Sequence, residues 1–245
     1  QEFVEYMLVD INHPSLGHHN QIGFITFSST GNSTDFGNLT QSRRAIAGVS
    51  NATRGVFCGG LSPTPRDTVD YVTIATTGNA EDFGNLTQAR QSGSAMSSPV
   101  RGVIYGGYFH PSYAANEFIT IASTGNAQEF GDAYDTSGNR YNPSGISNSI
   151  RGLVAGGILE PSQTKYIESY QLATFGRGTL FGDLSTNTRS KNGTASPVRG
   201  VFAGGRSPAD PGTNSIEYVT IATEGNGVDF GDLTQARYEH AAMGN

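Results

Sequence analysis

Short apolar runs alternate along this chain with clusters of Gly, Asn, Ser, Thr and Pro. No stretch sustains the spacing of an amphipathic helix over a helical length. Residues 90–132 show the unit of the pattern. A first strand-like piece covers 94–98, and a second runs from Val103 to Tyr105 and is ended by Gly106 and Gly107. In the third, 117–122, Phe118, Thr120 and Ala122 alternate with Ile119 and Ile121, and the fourth carries Phe130 after the turn Thr124-Gly125-Asn126. Glycine and asparagine suit such a turn because both tolerate positive φ. The pattern predicts four antiparallel strands in this stretch.

The stretch is one copy of a repeat. R-G-V-F-C-G-G at Arg54 returns as R-G-V-I-Y-G-G from Arg101, R-G-L-V-A-G-G from Arg151 and R-G-V-F-A-G-G from Arg199. A second signature supplies Phe36, Phe83, Phe130, Phe181 and Phe230, spaced by 47, 47, 51 and 49 residues, and each is followed by glycine. Four strands at that period form the blade of a β-propeller. The expected fold is therefore all-β: one domain over residues 1–245, a five-bladed β-propeller of four-stranded blades, with repeat units at about 43–85, 90–132, 140–183 and 189–232. The five phenylalanines are expected to be buried equivalently between neighbouring blades.

The remaining segments predict how the ring closes. Residues 237–245 align with 43–51, so the chain stops after a first strand, and the missing strands are expected at 3–9, 23–27 and around Phe36. The closing blade, 237–245 plus 3–39, thus joins one C-terminal strand to three N-terminal ones, pairing edges that would otherwise be open. The start at Gln1 rather than methionine points to processing or to excision from a longer chain, the latter being the favoured reading.

The Gly-Gly pair closing the second strand, the aromatic residues of the third and fourth strands, and the exit Leu86-Thr-x-x-Arg90 resemble kelch repeats. Phe83 and its equivalents stand where that family usually has tryptophan, which this chain lacks, and the hairpin between the third and fourth strands is longer. The wording from Tyr71 to Arg90 also resembles repeats in structural and tail-fibre proteins of marine bacteriophages, and the opening from Phe3 resembles a strand of such fibres. This resemblance implies a virion or extracellular location and a structural, host-attachment role.

Composition and charge narrow the partners. A net charge of −6 and a pI near 5.3, with scattered basic residues, exclude a nucleic-acid binder from the expectation. No stretch has the length of apolar residues that would insert into a membrane. The expected partners are other virion proteins or a host-surface glycan or protein, with self-association open. The lone Cys58 aligns with Tyr105, Ala155 and Ala203 and reads as a small core residue. His13, His18 and His19 share one loop, without Cys or acidic ligands at matching spacing, and read as solvated. The amide or acid after each Phe-Gly, at Asn38, Asn85, Asp132, Asp183 and Asp232, reads as a turn residue rather than a calcium ligand. No metal and no cofactor is expected.

Catalysis is not expected either. Acid and base need different environments, whereas the acidic residues here mostly repeat in step with the units, and no isolated carboxylate interrupts an apolar inner strand. Nucleophile and phosphate-loop motifs are missing. Loop lengths vary after each Gly-Gly and in the connection 134–143, which in a four-stranded blade share one face. Recognition is expected there, because loops on a rigid scaffold change without disturbing the core. The candidate binding residues are Tyr108, Phe109, His110, Tyr113, Tyr134 and Tyr141, whose rings can stack on a sugar or anchor a protein. Equally, they can simply cover the end of the blade. A secreted glycan-binding lectin and an intracellular kelch-type adaptor stand as alternatives.

Overall fold

The computed structural model describes residues 6–9, 19–26, 29–108, 115–134, 140–209 and 212–242. Their regular structure is entirely β. Strands β1 (Tyr6–Val9), β2 (Gln21–Ile25) and β3 (Thr34–Asn38) form sheet I. Sheet II contains β4 (Ala47–Ser50), β5 (Arg54–Cys58), β6 (Arg66–Thr73) and β7 (Glu81–Arg90), and sheet III β8 (Ser94–Ser97), β9 (Arg101–Tyr105), β10 (Asn116–Thr120) and β11 (Gln128–Gly131). Next come β12 (Arg140–Tyr141), β13 (Ser144–Ser147), β14 (Arg151–Ala155), β15 (Ile158–Leu159), β16 (Ser162–Gln163), β17 (Tyr166–Gln171) and β18 (Thr179–Asp183). Of these, β13-β14-β17-β18 make sheet IV, and β12-β15-β16 make a small sheet that the sequence pattern did not predict. Sheet V contains β19 (Asn192–Ala195), β20 (Arg199–Ala203), β21 (Thr213–Thr220) and β22 (Val228–Arg237). Neighbouring strands are antiparallel throughout. The three N-terminal strands of the closing unit are present and paired in order, and the C-terminal strand falls at residues only partly within the described ones.

Each Arg-Gly tract is a second strand, and in β5, β9 and β14 every residue after the arginine is buried. Both strand faces are covered, hence the continuous apolar run instead of an alternation. The covering comes from neighbouring sheets. One apolar cluster joins sheets I and II through Ile22, Phe36, Phe57 and Val72, and the next joins II and III through Val56, Phe83, Ile104 and Ile119. A third joins III and IV through Val103, Phe130, Val154 and Leu172, and a fourth joins IV and V through Leu153, Phe181, Phe202 and Val219.

The Phe-Gly dipeptide is the joint. The Phe36 carbonyl accepts from Gly78 N at 2.7 Å, and Phe83, Phe130 and Phe181 accept likewise from Gly125, Gly176 and Gly225. The glycine after each of these four phenylalanines admits that turn: a Cβ on Gly84 would stand 2.5 Å from the Gly125 carbonyl oxygen. The turn asparagine is a second tie. Oδ1 of Asn79, Asn126 and Asn226 accepts from the main-chain N of Asn38, Asn85 and Asp183. Those positions after Phe-Gly thus use their backbones across the joint instead of closing a local turn.

One expectation requires correction. Phe36, Phe83, Phe130 and Phe181 are buried, but Phe230 is 54% exposed. Its cover would have to come from sheet I, and nothing lies within 4 Å of a Cβ built on Gly231 or on Gly31. Sheets I to V thus pack in sequence, and the joint between V and I is not made among the described residues. Third strands carry buried acids in step with the repeat: Asp70, Glu117, Glu168 and Glu217. Each is neutralised by a buried cation. Arg43 meets Asp70 at 3.0 Å, Arg140 meets Glu168 at 3.5 Å, Lys191 meets Glu217 at 3.2 Å, and Arg90 pairs with Glu117. The remaining lone pairs accept from the preceding sheet, as where Thr87 N and Oγ1 donate to Glu117 at 2.8 Å. In sheet I the register places Gly23 at this position, and sheet V's Arg237 is exposed.

Candidate partner-binding rim

A cavity of about 830 Å3 is lined by one segment from each repeat: 44–48, 91–95, 142–145, 190–192 and 238–240. Each segment contains one non-glycine residue with a left-handed backbone: Ala45, Ser92, Asn142, Ser190 and Glu239, with φ between 52° and 56°. Such residues are costly unless the surroundings fix them. Here hydrogen bonds between repeats do so. Ser92 N donates to Ala45 O at 3.0 Å, Asn142 N to Ser92 O at 2.8 Å, Ser190 N to Asn142 O at 2.9 Å and Glu239 N to Ser190 O at 3.2 Å. The chain of bonds runs from the first of these turns to the last. Ser144 and Ser190 are buried on this lining, and the hydroxyls of both lack a hydrogen-bond partner.

The loops after each Gly-Gly meet the connections between units at this rim, in the bridges Arg44↔Leu61, Gln91↔Tyr108 and Arg189↔Arg206 and in the pairing of β12 with β15. The two sets of variable loops thus share one face, as their lengths predicted. Sequence placed Tyr108 and Tyr141 in different loops, and the structure brings them together edge to face, with ring centroids 5.5 Å apart. Tyr108 is 38% exposed, and Tyr141 donates its hydroxyl to Glu160 at 2.8 Å. Partial burial, and then that carboxylate, push the Tyr141 phenol up to about 12, so it remains a neutral donor at physiological pH.

Tyr134 is placed differently. Its N donates to Glu168 at 3.2 Å and its carbonyl accepts from Arg177, which fixes it at the joint between sheets III and IV. No ring contact links it to the tyrosine pair among the described residues. Phe109, His110 and Tyr113 lie outside the described residues, as do His13 and His18. The carbonyl of His19 accepts from Arg43 N at 3.2 Å. Among the described residues, His, Cys, Asp and Glu side chains nowhere gather in a group of three or more able to hold a metal ion.

Sequence reasoning missed two features of the rim. Arg206 stacks on Tyr238 at 4.7 Å, repeating between sheet V and the C-terminal turn the arrangement of Tyr108 on Tyr141. Both pairs join a loop after Gly-Gly to the next connection, a spacing that aligning the repeats by their left-handed turns would have found. Lys191 was also missed. Thr188 stands where the other units carry Arg43, Arg90 and Arg140, and the lysine reaches the acid from three positions further on. Neither a protein-family model nor a curated protein matches this chain.

Proposed function

We propose that the chain is a five-bladed β-propeller acting as a non-catalytic structural and adhesion module, part of a bacteriophage virion, whose variable rim makes the specific contacts. The observation that carries the architecture is the lining of one cavity by an equivalent left-handed turn from every repeat, the first and last included. Closure then brings sheet I against sheet V. The mating groups are present on both sides: Thr30-Gly31-Asn32 repeats the turn that joins the other sheets, and Val228 and Phe230, at 51% and 54% exposure, await a cover.

The functional reading rests on where the repeats agree and where they differ. The buried ion pairs and Phe-Gly joints bind sheet to sheet. The differences gather at the rim, in aromatic and charged residues on a rigid support. The virion assignment rests on the resemblance of the repeat wording.

The test combines a glycan array on the intact protein with a contact map of the assembled particle. Replacing Tyr108 and Tyr141 together by Ser should weaken partner or glycan binding while leaving the melting temperature nearly unchanged. Contacts that avoid the rim altogether would overturn the proposal for this face, and saturable binding to one glycan class would favour the lectin reading.

A further inference from the structure

On the face opposite the rim, the second strands of sheets II, III and V begin with an arginine whose guanidinium lies over an aromatic ring from the adjoining third strand. Arg54 covers Tyr71 at 4.5 Å, Arg101 covers Phe118 at 4.8 Å and Arg199 covers Tyr218 at 4.4 Å. Strand register fixes the equivalence: Val56 pairs with Tyr71, Val103 with Phe118 and Val201 with Tyr218. In sheet IV, Leu153 pairs with Ser169, so the ring is missing beneath Arg151. Arg101 also lies 4.7 Å from the ring of Phe175, from the hairpin of sheet IV. The equivalent hairpin residue beside Arg151 is Glu224.

The missing ring leaves a pocket of about 220 Å3 lined by Arg151, Ser169, Phe175, Arg177, Thr179 and Glu224, among others. An apolar cavity of roughly 150 Å3 already accepts benzene. Arg151 is held ready, with Nη1 donating to the carbonyls of Ile221 at 2.9 Å and Ala222 at 3.3 Å. Arg177 is tied back to Ala133 O at 3.1 Å, and the Phe175 ring, 60% exposed, stands in the wall. The chain itself shows what fits such a place. Tyr71 lies under Arg54 and donates its hydroxyl to Glu81 at 2.7 Å.

We propose that this pocket receives a tyrosine side chain from a protein partner, its ring over Ser169 against the Arg151 guanidinium and its hydroxyl donating to the Glu224 carboxylate. Cation–π contact and a charge-assisted hydrogen bond together select a phenol over an aliphatic or a plain phenyl group. The site lies on the face opposite the rim, and its occupation is independent of what the rim binds.

The experiment is a 1H–15N titration of the intact protein with N-acetyl-tyrosinamide, and in parallel with N-acetyl-phenylalaninamide. Saturable shifts are expected at Ser169, Arg151 and Glu224, with the tyrosine derivative about tenfold tighter, the order of one hydrogen bond to a charged group. Ser169→Tyr fills the pocket from within; it should raise the melting temperature and abolish the shifts. Glu224→Gln, on an exposed hairpin that tolerates change, should remove the preference for tyrosine whether or not the Ser169 variant folds. Absence of saturable shifts, equal binding of the two derivatives by the parent protein, or undiminished binding by a folded Ser169→Tyr would each overturn the assignment. A tyrosine-bearing peptide that fails to bind where the free derivative succeeds would overturn the protein-partner source.

Discussion

At the scale of single residues, burial decides what each side chain can do. Cys58 is 2% exposed, and burial pushes its thiol up to about 12, with Arg43 and Arg90 opposing the shift only in part. The thiolate is the reactive species, so in the folded protein this cysteine is protonated and out of reach. It should be inert to Ellman's reagent at neutral pH, with labelling that follows the unfolding transition measured by circular dichroism. Rapid stoichiometric labelling of the native protein would contradict this placement. The sequence alignment had already identified Cys58 as a core residue, because its equivalents are Tyr105, Ala155 and Ala203 and the first two of these are also buried. The four buried third-strand acids were less legible. A carboxylate in an apolar strand is affordable only beside its cation, and that cation lies up to 28 positions away in the chain, as for Arg140 and Glu168, where only the fold makes them neighbours.

At the scale of elements, the sheets are joined by a small set of repeated ties, and the ion pair is the one most sensitive to damage. Glu117 is fully buried, pairs with Arg90 and accepts from Thr87 of the preceding sheet. Burial draws the Arg90 guanidinium down to about 10, a measure of how poorly it is solvated. Glu117→Ala leaves that cation buried without its counter-charge, which costs about 3 to 5 kcal/mol. Denaturant titration should show that loss, together with faster amide exchange at the joint between sheets II and III. A loss within about 0.5 kcal/mol, the usual range for surface substitutions, would mean that the pair contributes no net stability. Strand existence was legible here because Phe-Gly punctuates all five units, Gly-Gly four of them, and a glycine-centred turn each hairpin before the Phe-Gly. Their physical purpose was not, since Gly37, Gly84, Gly131 and Gly182 are required by a turn of the next sheet, a contact that no local pattern encodes. The small sheet of β12, β15 and β16 was illegible for a related reason: its strands are two residues long and draw their support from the rim loops.

At the scale of the whole molecule, the joint between sheets V and I distinguishes an arc from a ring. The other joints have a buried phenylalanine, a glycine fitted to the next turn and an ion pair. At this one Phe230 is exposed, Gly231 faces open space and Gly23 occupies the position of the acid. A ring closing here would rest on apolar contact and turn hydrogen bonds without the buried charge, which would make this its weakest joint. Phe83 lies inside a completed joint, and Phe83→Ala should cost about 3 to 5 kcal/mol. Phe230→Ala measures closure directly. In a closed ring its ring is covered as Phe83 is and the two losses are of similar size, whereas at an open joint truncating a half-exposed side chain costs about 1 kcal/mol, the ordinary size of a point substitution. Closure predicts the large value, accompanied by loss of amide protection in sheet I as well as in β22, because each would lose its cover at once. A small loss confined to β22 would leave the five sheets packed in sequence as described and would remove the closed propeller from the reading of this chain.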